Sequence, residues 1–218
     1  MLQLAVFLGN PGKQYKNNRH NAAWMLAEAL PFYPSLDWQK KFKGLYAANE
    51  GFHFLKPQTY MNLSGESAQA AASFFKIELK DIIVIHDEIE LPFGTLSLKF
   101  SGGMGGHNGL RSMKTVFGSA DFWRLRIGVG RPDSRLPGKG GNPESSLAAN
   151  IADWVLNDFS EAEMESLAPV LSAGAQLLTQ ALSVEPQTLL PEWAKKPCTL
   201  RQAQGTPATN TSEQNPAV

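Results

Sequence analysis

One cysteine in 218 residues cannot close a disulfide within the chain, and Cys198 sits among polar residues near the C-terminus. A reducing compartment is therefore expected. Long apolar runs are missing as well: no stretch reaches the roughly 18 residues that a membrane-spanning helix requires. The first residues, MLQLAVFLGNPG, lack a basic segment ahead of the apolar run and meet Gly9-Asn10-Pro11-Gly12 too early for a signal peptide. These absences predict a cytoplasmic, soluble protein. Net charge is absent too, because 20 Lys+Arg balance 20 Asp+Glu, so the strongly basic signature of a nucleic-acid binder is not present. There is no Gly-x-Ser-x-Gly elbow, no His-Glu-x-x-His, no Cys-x-x-Cys and no Walker lysine after the glycine-rich segment. Serine-hydrolase, common zinc-site and P-loop readings thus lack their signatures. The lone cysteine, outside the expected packed region, is a poor candidate nucleophile.

What is present describes an ordinary globular chain, 43% hydrophobic and 18% charged, long enough for one domain with a sizeable core. Its charges are unevenly spread. Lys13, Lys16 and Arg19 share one loop; Lys40, Lys41 and Lys43 share another; Arg124, Arg126, Arg131 and Arg135 follow closely, and acidic residues gather between Asp158 and Glu165. Steering depends on local potential and not on the sum, so neutrality does not exclude an RNA partner.

Residues 2–8 read as a buried strand ended by a turn cluster, and a helix over 22–30 is stopped by Pro31 and Pro34. Gly51 divides residues 45–55 into a hairpin. Asn62 or Ser64 is placed to cap the next helix, and 82–86 is a short apolar strand. Residues 95–100 alternate as a half-buried strand, a helix follows the glycines to Phe117, and 125–129 is a further strand. Helical patterns cover 147–157 and 160–183, and composition turns polar from Pro197. The prediction is a single α/β domain over 1–196, a twisted mixed β-sheet flanked by helices, with a disordered C-terminal tail over 197–218.

Four segments pair polar side chains with sharp turns. Gly9-Asn10-Pro11-Gly12 follows a strand, where α/β sheets bind ligands, or is a plain strand-exit turn. His20, in Arg19-His20-Asn21, is either a general base or a histidine satisfied locally at the start of a helix. Asn62 has the donor and acceptor to hold an amide or a reacting carbonyl, or simply caps a helix. His86-Asp87-Glu88 is expected at the exposed end of a strand, where an aspartate can fix a histidine tautomer. The glycine run into His107-Asn108-Gly109 suits a phosphate, a metal or a purely structural loop.

In combination these segments resemble the bacterial-type peptidyl-tRNA hydrolase family. The match rests on Leu8-Gly-Asn-Pro-Gly12 with Tyr15 and Arg19-His-Asn21, and on Lys56-Pro-Gln-Thr-Tyr-Met-Asn62 with Ser64-Gly65. It continues through His86-Asp-Glu88, Leu91-Pro92, Gly94, Gly105-Gly-His-Asn-Gly-Leu110 and Arg124-Leu-Arg-Ile-Gly-Val-Gly-Arg-Pro132. The resemblance covers roughly residues 1–185 and implies a hydrolase that cleaves the ester between a peptide and the 3′ ribose of tRNA. It implies His20 as general base on water, Asp87 as its orienting partner, and Asn10, Asn62 and Asn108 as holders of peptide and terminal nucleotide. Tyr15, Tyr60, Met61 and His107 are implied to line the substrate site, and Lys99 and Arg126 to clamp the 5′ phosphate beside the acceptor stem and 3′ end. No metal and no organic cofactor are implied, and the molecule is expected to be a monomer away from membranes.

Three positions depart from the family pattern: Phe7 and Ala23 stand where glycine is common, and Ser97 replaces a lysine of some relatives. The first two are expected to tighten the pocket or shift a helix, the third to weaken RNA contacts. The 132–143 loop and the tail have no counterpart in the motifs. Two other classes compete: a non-catalytic RNA-binding module, which has no need of His20, Asp87 and three asparagines together, and a nucleotide-binding enzyme, for which the glycine loop lacks the usual lysine and hydroxyl residues.

Overall fold

The computed structural model describes residues 1–132 and 151–198. Its strands are β1 (Leu4–Phe7), β2 (Gln39–Lys41), β3 (Gly44–Asn49), β4 (Phe52–Pro57), β5 (Ile82–Glu88), β6 (Thr95–Phe100), β7 (Trp123–Gly128) and β8 (Lys196–Pro197). They form one sheet in the order β2-β3-β4-β1-β5-β7-β6-β8. The four central strands β4, β1, β5 and β7 are parallel, and the outer pairs are antiparallel. This is the mixed α/β sheet that the interleaved pattern predicted.

Both faces of the sheet are covered, which is why its centre reads as unbroken apolar runs. From β1 and β5, Ala5, Phe7, Ile83 and Ile85 face α1 (Ala22–Glu28) and the long α4 (Glu161–Ser183). Leu4, Val6, Ile82 and Val84 face the other way, onto α2 (Ser64–Phe75) and α3 (Asn108–Phe117). Residues 151–156 are helical, and a short α5 (Leu190–Trp193) closes the C-terminal end. Because the central strands are parallel, their carboxyl ends share one edge, and the segments after β4, β1 and β5 meet there.

The boundaries differ from expectation in instructive places. Strand β5 continues to Glu88, so the His86-Asp87-Glu88 segment lies within it and Asp87 is buried, not exposed. Neither Asn62 nor Ser64 caps α2: Leu63 occupies that position with no side-chain cap. Pro197, expected to begin the tail, pairs with Thr95 at the sheet edge, and the Cys198 N–H donates to Gly94 O at 2.9 Å. An edge strand tolerates the missing proline N–H, and buried Trp193 anchors the segment just before it. Cys198 is accordingly half-buried against the core, contrary to the expectation that it lies outside the packing. Residues 199–218 of the expected tail, and 133–143 of the expected loop, lie outside the described residues.

Phe7 and Ala23 are fully buried in the cluster between the sheet and its α1 and α4 helices, so their bulk fills core space. On the other face, Gly65 lets α2 and α3 touch. A Cβ there would stand 2.4 Å from Ser112 O, while the Gly65 N–H donates to Ser112 Oγ at 2.9 Å. Gly65→Ala is expected to cost about 1–3 kcal/mol, the range for overpacking a tight contact. Urea unfolding of parent and variant checks this, and equal midpoints would contradict the close approach.

Candidate functional site

The site is assembled around one carboxylate. Asp87 is 2% exposed, near the end of β5, and its Oδ1 lies 2.8 Å from His20 Nδ1 and 3.0 Å from His107 Nε2. Burial alone would raise the Asp87 carboxyl, but the two histidines, by charge and hydrogen bond, outweigh it and hold the group well below the usual carboxylate range. His107 caps α3, with Nδ1 accepting from the Gly109 N–H at 3.1 Å and the Leu110 N–H at 3.4 Å. That commits its proton to Nε2, which donates to Asp87. His20 correspondingly donates from Nδ1, leaving Nε2 with a lone pair toward the pocket.

Behind this pair, His86 is wholly buried on the opposite face of β5. Its Nδ1–H donates to the Asp87 carbonyl at 2.6 Å, and Nε2 has no partner among the described residues. Burial and the neighbouring His107 push its pKa well below the ordinary histidine value, so it stays neutral. Its ring meets His107 edge-on, centroids 5.1 Å apart, and supports the capping histidine from below.

Asn10, in the turn after β1, exchanges hydrogen bonds with Asn21: its N–H donates to Asn21 Oδ1 at 2.8 Å and its carbonyl accepts from Asn21 Nδ2 at 3.0 Å. Its own Oδ1 accepts from the Met61 N–H at 3.0 Å, which leaves the side-chain NH2 as the group it can offer a ligand. Asn10 thereby ties the β1 exit to the segment after β4. Gly109 lets that segment approach α3, since a Cβ there would sit 2.6 Å from Met61 Sδ.

Two adjoining cavities share His20 and Asn108. One, about 470 Å³, is lined by Asn10, Tyr15, Tyr60, Met61 and Asn62; the other, about 360 Å³, by Asp87, Glu88, His107 and Arg111. All the sequence-selected residues except Lys99 and Arg126 therefore converge on one cleft. Met61 is buried, while Asn62, Asn108 and Tyr60 are exposed. Arg126 stands apart on β7, where its guanidinium bonds Glu88 Oε2 at 3.3 Å and Ser97 Oγ at 3.1 Å. Ser97 is fully buried beneath it and donates to Ala194 O, so this departure from the family pattern is a support for Arg126. Lys99, one pleat further down the same face of β6, is exposed.

Sequence reasoning missed the far wall of the cleft, made by Ile151, Ala152, Val155 and Leu156, and the device that holds it. Arg19, next to His20, is 5% exposed and makes two 2.9 Å bonds to the Glu163 carboxylate. It also donates to the Asn157 and Asp158 carbonyls at 3.1 and 2.9 Å and lies 3.7 Å over the Trp154 ring. Glu163 completes a capping box with Ser160 at the start of α4. The only sequence signal was the acidic cluster around Glu163, which does not name its partner.

His20, Asp87 and His107 also offer three donor atoms within 4.8 Å of one another. Two of these donors spend their protons on the same carboxylate oxygen, whereas a metal would need each lone pair aimed at a common point. The arrangement is a hydrogen-bonded histidine–aspartate–histidine cluster.

Fold and site thus define a class: an α/β protein with a buried histidine–aspartate pair at the carboxyl ends of its parallel strands. Residues 4–199 match the family model described as peptidyl-tRNA hydrolase. Similar chains include the peptidyl-tRNA hydrolase of Treponema pallidum, 47% identical over 89% of this chain and 96% of that one. That of Desulfitobacterium hafniense is 41% identical over 82% and 91%. The crystal structure of peptidyl-tRNA hydrolase from Acinetobacter baumannii superposes with a TM-score of 0.71 at 30% identity, covering 90% of this chain and 96% of its own. The chain belongs to the peptidyl-tRNA hydrolase family.

Two outcomes are expected. Arg19→Ala breaks a part-buried, bidentate ion pair and strands the carbonyls it serves, and should cost about 1–3 kcal/mol, with Trp154 fluorescence changing as its stacked guanidinium is lost; unchanged unfolding midpoints would contradict the clamp. Asp87, held low in the folded protein, contributes stability that is complete above its unfolded-chain value of about 3.9 and is lost as pH falls through the folded value. Urea titrations of parent and Asp87→Asn should show the parent's margin shrinking below about pH 4. A margin unchanged on acidification to about pH 2 would contradict the assignment.

Proposed function

We propose that the protein hydrolyses the ester joining a peptide, or an N-blocked amino acid, to the 3′-terminal ribose of tRNA, with His20 as general base. The observation that carries this reading is the His20–Asp87 pair at 2.8 Å, opening onto a cleft lined by Asn10, Asn62 and Asn108. Membership of the peptidyl-tRNA hydrolase family supports the substrate. His20 Nε2 takes a proton from water as the water oxygen attacks the ester carbon. Asn62 or Asn108 donates to the developing oxyanion. When the carbon–oxygen bond to ribose breaks, the same imidazolium returns the proton to the leaving 3′ oxygen. Asp87, already ionised, keeps the imidazole in the Nδ1–H tautomer and stabilises its cation.

An ester needs less activation than an amide, so a positioned base and an oxyanion donor suffice without a covalent nucleophile. No metal or organic cofactor takes part in the proposed steps. Tyr15, Tyr60 and Met61 border the cleft for the terminal nucleotide and peptide, and His107 fixes Asp87. Arg126 and Lys99 are the cations proposed for the 5′ phosphate; the Glu88 contact orients the Arg126 guanidinium there. We take the protein to act as a monomer in the cytoplasm, returning tRNA to translation.

Purified protein incubated with an N-blocked aminoacyl-tRNA, without added metal, should release the blocked amino acid. His20→Ala should lose at least about two orders of magnitude in rate, the contribution of general-base catalysis, while keeping its circular dichroism. Near-parental turnover by the variant would move the base elsewhere. Binding without release by the parent would favour the RNA-binding module. Asp87→Asn should be impaired less than His20→Ala; a pH–rate profile superimposable on the parent's would remove its role.

A further inference from the structure

The cleft is flanked by cations on both sides. Arg126 lies on β7, two strands from β1 in one direction; the turn joining β2 to β3 lies two strands away in the other. Gly44, which begins β3, pairs with Pro57, which ends β4, so this turn is at the same edge of the sheet as the catalytic cleft. A cavity of about 670 Å³ opens there, lined by Lys40, Lys41, Lys43 and Gln58, immediately before the Tyr60–Asn62 segment that borders the substrate cleft.

The turn is a rigid platform. Phe42 and Lys43 are its two central residues, and both have φ of 54°. This left-handed conformation normally falls to Asn and Gly in hairpins and is costly for larger residues. It is held from several sides. The Phe42 carbonyl accepts from Ser67 Oγ at 2.6 Å, the Lys43 carbonyl accepts from the Gln58 N–H at 3.0 Å, and the Phe42 ring packs on Tyr46, Phe74 and Phe75. Strained backbone that its surroundings over-determine is a mark of functional sites. The acids nearby are engaged: Glu66 pairs with Lys43 at 2.8 Å, and Asp37 accepts from Gln39. Among the described residues Lys40 and Lys41 have no carboxylate within ion-pair distance. In a chain of zero net charge, this leaves a local positive field beside the cleft.

We propose that the β2–β3 turn is a second RNA contact, at which Lys40 and Lys41 receive backbone phosphates of the 3′ strand of tRNA as it descends into the cleft. The inference rests on the peptidyl-tRNA reading. From β3 to β7 is four strand spacings, about 19 Å, a separation on which the two strands at the end of an acceptor stem can straddle the cleft. The 5′ phosphate then meets Arg126 and Lys99, and the 3′ strand meets the lysine turn. The contact reads no sequence; it sets register and brings the ester to His20.

The test compares the parent with Lys40→Gln/Lys41→Gln and with Lys40→Arg/Lys41→Arg, using N-acetyl-aminoacyl-tRNA as substrate and deacylated tRNA as ligand. Both lysines are exposed, so folding should be unaffected. The glutamine variant is expected to raise KM with kcat unchanged and to weaken deacylated tRNA equally. The slope of log affinity against log salt should fall by about 0.7 for each phosphate contact removed. The arginine variant should restore both. An active parent with identical KM and salt slope in the glutamine variant would overturn the contact. A raised KM with unchanged binding of deacylated tRNA would overturn it too, assigning the turn to the peptide. A parent that hydrolyses nothing would fail the reading underneath, a distinct result.

Discussion

Everything at the functional edge of this molecule hangs on the Asp87 carboxylate. It is buried at the end of a central strand, where an unpaired anion would be prohibitive, and two imidazole N–H groups make it tolerable. The same two bonds hold a residue of the turn that leads into α1 and the one that caps α3. One anion therefore links three elements and receives the ring N–H of both histidines. Packing alone could bring those elements together; the shared oxygen, with the helix-capping bonds on His107, gives the rings their orientation.

Two buried arginines extend the frame by a different route. Arg19 and Arg124 each donate to two neighbouring main-chain carbonyls, Arg19 to Asn157 and Asp158 from one terminal nitrogen while the other holds Glu163, and Arg124 to Gly103 and Gly102 at 2.6 and 2.7 Å. Such carbonyls belong to irregular segments with no ladder to satisfy them. A planar guanidinium can collect several at once, which makes arginine suited to fastening a loop. One fastens the far wall of the cleft beside His20; the other fastens the glycine-rich run that leads to His107. Burial lowers the Arg124 pKa, and nearby Arg126 lowers it further, yet so strong a base keeps its proton. The positive field of that face therefore persists even where the charge is hidden from solvent.

The sheet explains why these devices meet. Parallel central strands deliver their exits to one edge, and helices on both faces keep the strand bodies dry, so β1 is wholly apolar and β5 admits polar side chains only at its carboxyl end. Cations lie on both flanks of the cleft, which reconciles zero net charge with an RNA substrate. A balanced chain can concentrate charge of one sign along a single edge.

Much of this was legible in the chain. Apolar runs and turn residues marked β1, β5 and the β3–β4 hairpin, because strand and turn preferences are local. Ordered short motifs marked Asn10, His20, Asn62, Asp87, His107 and Asn108, since each sits at or beside a point where the chain enters or leaves an element. Only tertiary structure decided which of them touch. It buried Asp87, which looked exposed at a strand end. It joined Arg19 to Glu163 across 144 residues, turned 151–156 into a wall of the cleft, and drew Lys196–Pro197 out of a polar stretch into the sheet. The reason is the same in each case. Local sequence sets backbone preference, whereas the partner of a buried charge or an edge strand is chosen by which distant group can satisfy it once the core has closed.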